Sequence, residues 1–177
     1  MVGKINSLLA QDSAPDFNDP LGLLKACHQR ILGFCDLLEK MVTHFEQHGV
    51  DDDIKQSAQK VYRYFSTAAI LHHQDEEQDL FPLLVGTSTK MATIIHGLEQ
   101  DHSKLDEHWK KLAPVLAKPA SIADTPDFKT WVDGFCAANR QHIKTEEEDL
   151  LSVAEHLLSH VQLENLGSKM KDRRKNL

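Results

Sequence analysis

The chain has 177 residues, which at about 150 residues per domain predicts a single domain able to bury an ordinary core. Lys plus Arg (20) against Asp plus Glu (27) leaves a net charge of −7, which argues against a nucleic-acid surface. An apolar fraction of 41% with 27% charged residues excludes a disordered chain, and no apolar run is long enough to span a bilayer. The N-terminal stretch MVGKINSLLAQDSAPD makes a poor signal peptide, and three cysteines without a CxxC pair predict reduced thiols in a cytoplasm.

Residues 1–18 read as a loose lead-in to a domain over 19–175. Asp19-Pro20 is a helix-start signal, a capping carboxylate before proline at the first helical position. Leu21, Leu24, His28, Ile31, Cys35, Leu38, Val42 and Phe45 then recur at helical spacing up to Gly49. Asp51-Asp52-Asp53 opens a second helix, with Ile54, Val61, Phe65, Ala68, His72, Glu76 and Leu80 on one stripe. A third begins near Ser88 and aligns Ile95, Leu98, His102, Leu105, Trp109, Leu112 and Leu116. After a linker around Pro119, Thr125-Pro126-Asp127 repeats the cap-plus-proline signal for a fourth helix. That helix aligns Phe128, Trp131, Phe135, Ala138, His142, Glu146, Asp149 and Val153. A short last helix over about 160–171 precedes a basic tail. The pattern predicts an all-α fold, an up-down-up-down four-helix bundle with a short C-terminal helix.

The eleven histidines are out of proportion to two tyrosines and two tryptophans. One histidine on an apolar stripe is ordinarily a hydrogen-bonded core residue. Here each of four helices carries one: His28, His72, His102 and His142. Glutamates follow two of them at i+4, Glu76 and Glu146, on the same helix face. Two carboxylates are thereby directed into the interior, where an unpaired charge is very costly and bound cations would neutralise it. At 1.5 Å of rise per residue the four histidines lie roughly 12, 16, 21 and 22 Å from one end of the bundle, within about two turns of each other. HHQDEEQDL at 72–80 aligns with HIKTEEEDL at 142–150, an offset of 142 − 72 = 70. His28 and His102 repeat at 102 − 28 = 74. Two helix pairs, each contributing H…HxxxE, describe a pseudo-two-fold bundle around a dinuclear metal centre. Imidazole with carboxylate suits iron, zinc or manganese. No HExxH is present for a zinc protease, and Glu99–His102 is a lone inner ExxH where a ferritin-like site needs two.

HHQDEEQDLFP, His28 in CHQRI, DHSKL around His102, HIKTEEEDLL and the closing LENLGSKMKDRR resemble the hemerythrin-like, or HHE cation-binding, family over about residues 20–175. The resemblance implies two non-haem iron ions with an oxo or hydroxo bridge. His28, His72, Glu76, His102, His142 and Glu146 would be the ligands, with the two glutamates bridging. It further implies a diatomic partner, dioxygen or nitric oxide. The alternatives are an enzyme of nitric oxide or peroxide detoxification or iron-centre repair, and an iron-responsive interaction module. The third helix has Asp106 where the oxygen-carrying members have another histidine. The pattern is more similar to the bacterial group that handles nitric oxide and damaged iron–sulfur clusters, although residues 1–18 lack that group's cysteine-bearing segment.

Around the helix, His73 stands about 100° from His72, which predicts a place outside the ligand set. Glu77 and Glu147 lie similarly off the inner stripe and are expected to be solvated or to hydrogen-bond a ligating imidazole. Asp106 faces almost the same way as His102, as a rim carboxylate or a further ligand. His44, His48, His96, His108, His156 and His160 read as surface or rim residues, and Cys35 and Cys136 as near the core.

Overall fold

The structure, a computed structural model, describes residues 16–175, so most of the expected lead-in lies outside the described residues. Every regular element among them is helical. The first long helix, α1 (Pro20–His48), starts as its sequence dictates: Asp19 accepts the Gly22 N–H at 2.9 Å, and Pro20 occupies the first turn. Gly49, at φ 70°, ends it in the backbone region open to glycine.

The second helical stretch departs from the continuous helix expected. It runs as α2 (Asp52–Phe65), pauses at Ser66-Thr67, resumes as α3 (Ala68–Asp75), widens into a π-helical turn (Glu76–Leu80) and closes with α4 (Phe81–Leu84). Asp51 caps α2 by accepting the Ile54 N–H at 3.0 Å. The third stretch is one helix, α5 (Thr89–Ala117), capped by Ser88 on Met91 N–H. The linker coils into a 3-10 helix (Pro119–Asp124). Its last turn takes up Thr125, whose hydroxyl donates to the Ser121 carbonyl at 2.7 Å, so the fourth stretch starts later than expected. That stretch is α6 (Phe128–Thr145), a second π-helical segment (Glu146–Leu151) and α7 (Ser152–Leu157). The last helix, α8 (His160–Lys175), is longer than its sequence pattern suggested.

Helix α1 packs on α2 and α6, and α5 packs on the same two, giving an all-helical bundle. Its apolar interior is split in two. One core gathers Ile31 to Val42 of α1, Ile54 to Phe65 of α2, Leu112 to Leu116 of α5 and Phe128 to Ile143 of α6. The other gathers Leu21 to Leu24, Leu80 to Leu84, Met91 to Leu98, Leu150 to Ala154, and Leu166 and Met170 of α8. On the first three long stretches the histidine of interest falls between the two cores, and on the fourth His142 stands at the edge of the first core, beside Ile143. A polar layer therefore crosses the bundle, sealed above and below by hydrocarbon. No described helix is long and apolar enough to cross a membrane.

Candidate metal centre

All six residues singled out by the sequence meet in that layer. His28, His72, Glu76 and Glu146 are 0% exposed, and His102 and His142 are 3% and 2%. Glu76 stands between the helix pairs. Its Oε1 is 2.8 Å from His72 Nε2 and 3.7 Å from His28 Nε2, while its Oε2 is 3.3 Å from His102 Nε2. Glu146 Oε2 lies 3.3 Å from His28 Nε2 and 3.5 Å from His142 Nε2. The Nε2 atoms of His102 and His142 are only 3.1 Å apart.

The two π-helical turns begin at the two glutamates of the repeated motif. Such turns are rare and concentrate at functional sites. Here the extra width serves a visible purpose, because it brings the next glutamate within reach of a neighbouring helix. His28 Nδ1–H donates to Glu147 Oε1 at 2.9 Å, and His102 Nδ1–H donates to Glu77 Oε1 at 2.6 Å. The internal repeat thus continues outside the centre, each motif orienting an imidazole on another helix. These bonds fix the tautomer of the neutral imidazoles: with Nδ1–H engaged, deprotonated His28 and His102 would turn their Nε2 lone pairs inward.

Lone pairs aimed at carboxylate oxygens repel one another unless a proton or a cation lies between them. The hydrogen-bond inventory bears this out. Among the described residues nine buried side-chain nitrogens and oxygens lack a hydrogen-bond partner, and eight belong to His28, His72, Glu76, His142 and Glu146. Buried polar atoms are ordinarily satisfied, and so many orphans in one layer fit positive ions as the missing partners. Two groups of convergent donors are present, His28, His72, Glu76 and Glu146 in one and His73, Glu76, His102 and His142 in the other. Within each group the donor atoms lie within 4.8 Å of one another.

Electrostatics of the metal-free cluster point the same way. Burial pushes Glu76 up, but the charge of His72 and the close imidazoles of His102, His28 and His72 hold it well below the usual carboxylate range. Glu146 is raised, by burial and then by the charge of Glu76. Burial lowers His28, yet Glu146 and Glu76 overcome it and lift the imidazole to about 10. His142 is pushed down to about 3 by burial and the charge of His102. Protons are therefore shared unevenly over groups whose chemistry suits divalent cations.

His73 lies closer to the centre than its angular position on the stripe suggested. Its nitrogen joins the second donor group, and its ring stacks on His102 with centroids 4.0 Å apart and planes at 16°. Burial and the charge of His102 keep it neutral. The 100° separation still holds within α3, which carries both residues, but the ring of His73 reaches across to His102 and His142 on the neighbouring helices. The doublet His72-His73 was the available signal. Asp106 is exposed and outside both donor groups; it lines a cavity of about 80 Å³ that also touches His73. The remaining histidines are exposed or at the rim, His44 paired with Asp51 at 2.7 Å. Cys35 and Cys136 are buried free thiols.

The hemerythrin HHE cation binding domain matches residues 19–154. The chain is 33% identical over 158 residues to an uncharacterized protein of Haemophilus influenzae, a match covering 89% of this chain and 91% of that relative. With its buried His/Glu clusters it fits a metal-binding hemerythrin-like protein. The chain belongs to the hemerythrin HHE cation-binding family.

Proposed function

We propose that this protein is a non-haem di-iron protein that binds a diatomic ligand, dioxygen or nitric oxide, inside an up-down-up-down four-helix bundle formed by residues 19–175. The observation that carries the reading is the placement of Glu76, one oxygen toward His28 and His72 and the other toward His102. A carboxylate so disposed bridges two cations. His28 and His72 hold one side, His102 and His142 the other, and Glu146 is the second bridge, near both His28 and His142. The alternating order in which the long helices pass the two cores supports the up-down arrangement.

A ferrous pair, when bound, supplies electrons and free coordination positions to a small ligand. The protein's share is to orient imidazoles through Glu77 and Glu147 and to keep bulk water out with the two cores. The cavity of about 80 Å³ beside the centre, lined by Ile31, Phe65, Leu105, Trp109 and Phe135, suits a small, apolar ligand better than a polar substrate. Three free cysteines suit a reducing compartment, and we place the protein in the cytoplasm.

Metal analysis of protein from an iron-supplemented host tests this reading: two irons per chain are expected, with a near-ultraviolet band from the ferric pair. One zinc per chain and no such band would overturn it. Stopped-flow mixing of the reduced protein with each gas then identifies the ligand. Autoxidation in air and a distinct iron–nitrosyl spectrum are expected, and multiple-turnover consumption of nitric oxide would make the protein an enzyme instead.

A further inference from the structure

We propose that His73 is itself a metal ligand, supplying a third imidazole to the half-site of His102 and His142 and so making the two half-sites chemically unequal. This rests on the dinuclear reading above and adds a residue to it. The first argument is donor number. His28, His72, Glu76 and Glu146 converge as four donors on one side. On the other side Glu146 is not among the convergent atoms, and His73 takes the fourth place beside Glu76, His102 and His142. Without His73 only Glu76, His102 and His142 converge there.

The second argument is the absence of another task for the ring. Among the described residues the His73 side chain makes ring contacts with His72, His102 and His142 and no hydrogen bond. It does not orient a ligand as Glu77 and Glu147 do. A half-buried imidazole close to two others, with a carboxylate nearby, offers a nitrogen donor and little else.

The consequence is a difference in imidazole number. With Glu76 and Glu146 shared between the sides, one half-site has two imidazoles and the other three. Two bound irons would sit in different ligand fields. His73 also forms part of the wall between the centre and the apolar cavity, so its removal opens a ring-sized space continuous with a cavity of about 80 Å³.

The test uses the full chain, stripped of metal and titrated anaerobically with ferrous iron. Iron per chain is assayed and the loaded protein is examined by Mössbauer spectroscopy. The parent should bind two irons and give two distinct quadrupole doublets. In His73→Ala one iron should be retained and the affinity for the second should fall by more than roughly a hundredfold, beyond the 10–100-fold typical of groups that merely orient a ligand. Asp106→Ala, on the same cavity, should keep both irons. Free imidazole should restore the second iron in His73→Ala, and pyrrole, the same ring without an available nitrogen lone pair, should not. If the apo His73→Ala chain fails to fold by circular dichroism, His73→Gln is judged by the same measurements. Two irons bound with parental affinity and an unchanged spectrum would overturn the role of His73 while leaving the dinuclear centre standing. Loss of both irons from a folded variant, or rescue by pyrrole, would also overturn it. A parent chain binding a single iron would remove the dinuclear reading and this inference together.

Discussion

Helix α8 should stabilise the metal-bearing segment through one buried carboxylate. Asp75, next to Glu76, is 0% exposed, and its two oxygens accept from two arginines: Oδ1 from Arg173, and Oδ2 from Arg174 Nη2 at 2.7 Å. Arg173 reaches on to Asp79 at 2.6 Å, and Lys169 meets the other Asp79 oxygen at 3.1 Å. Ion pairs on a surface contribute about 0–1 kcal/mol, but these differ in that the acid has no access to water. Replacing both arginines in Arg173→Ala/Arg174→Ala leaves Asp75 buried and unpaired, a change that costs roughly 3–5 kcal/mol. At about 2–4 °C per kcal/mol for a chain of this size, the melting temperature of metal-free protein should fall by roughly 6–20 °C. Urea denaturation followed by circular dichroism gives the free energy directly. Adding Asp75→Asn to the double variant removes the stranded charge and should recover more than half of the loss. The arginine stems also cover apolar surface, so that recovery separates charge from packing. A double variant within about 1 kcal/mol of the parent, or one that Asp75→Asn does not rescue, would refute the reasoning.

The remaining predictions concern the centre. In metal-free protein His28, lifted to about 10, and the raised His72 and His102 hold protons that the unfolded chain releases above about 6.5, so stability should fall as pH rises from 6.5 toward 10. His142, pushed down to about 3, reverses the sign on the acid side: the unfolded chain takes up its proton first, and stability falls as pH drops below about 6.5. Urea curves of chelator-treated protein should therefore place the maximum near neutrality, with slopes up to about 1.4 kcal/mol per pH unit per proton; stability that is flat or rising from pH 6.5 to 9.5 would contradict this. Glu77→Ala and Glu147→Ala should each weaken iron binding by roughly 10–100-fold by releasing His102 and His28 from their hydrogen bonds. Unchanged affinity in a competition assay against a chelator would show that these bonds orient nothing.

Helical periodicity, caps at Asp19, Asp51 and Ser88, and the repeated HxxxEE motif were enough to read an all-helical chain with six ligand candidates at one level, because each depends on residues within a few turns of one another. They could even suggest that Glu77 and Glu147 serve imidazoles, since the same offset recurs in both halves. Other features depended on partners far away in sequence. The break at Ser66-Thr67 and the π turns at Glu76 and Glu146 had no local signal, and His73 enters a donor group because its ring meets His102 and His142 on other helices. Asp106 faces almost the same way as His102 but stands about 6 Å further along α5, beside the apolar cavity and outside both donor groups. The pairings of His28 with Glu147 and of Asp75 with Arg173 and Arg174 span 119, 98 and 99 residues. Local spacing determines which face of a helix a side chain occupies, but only the packing of one helix against another determines what that face meets.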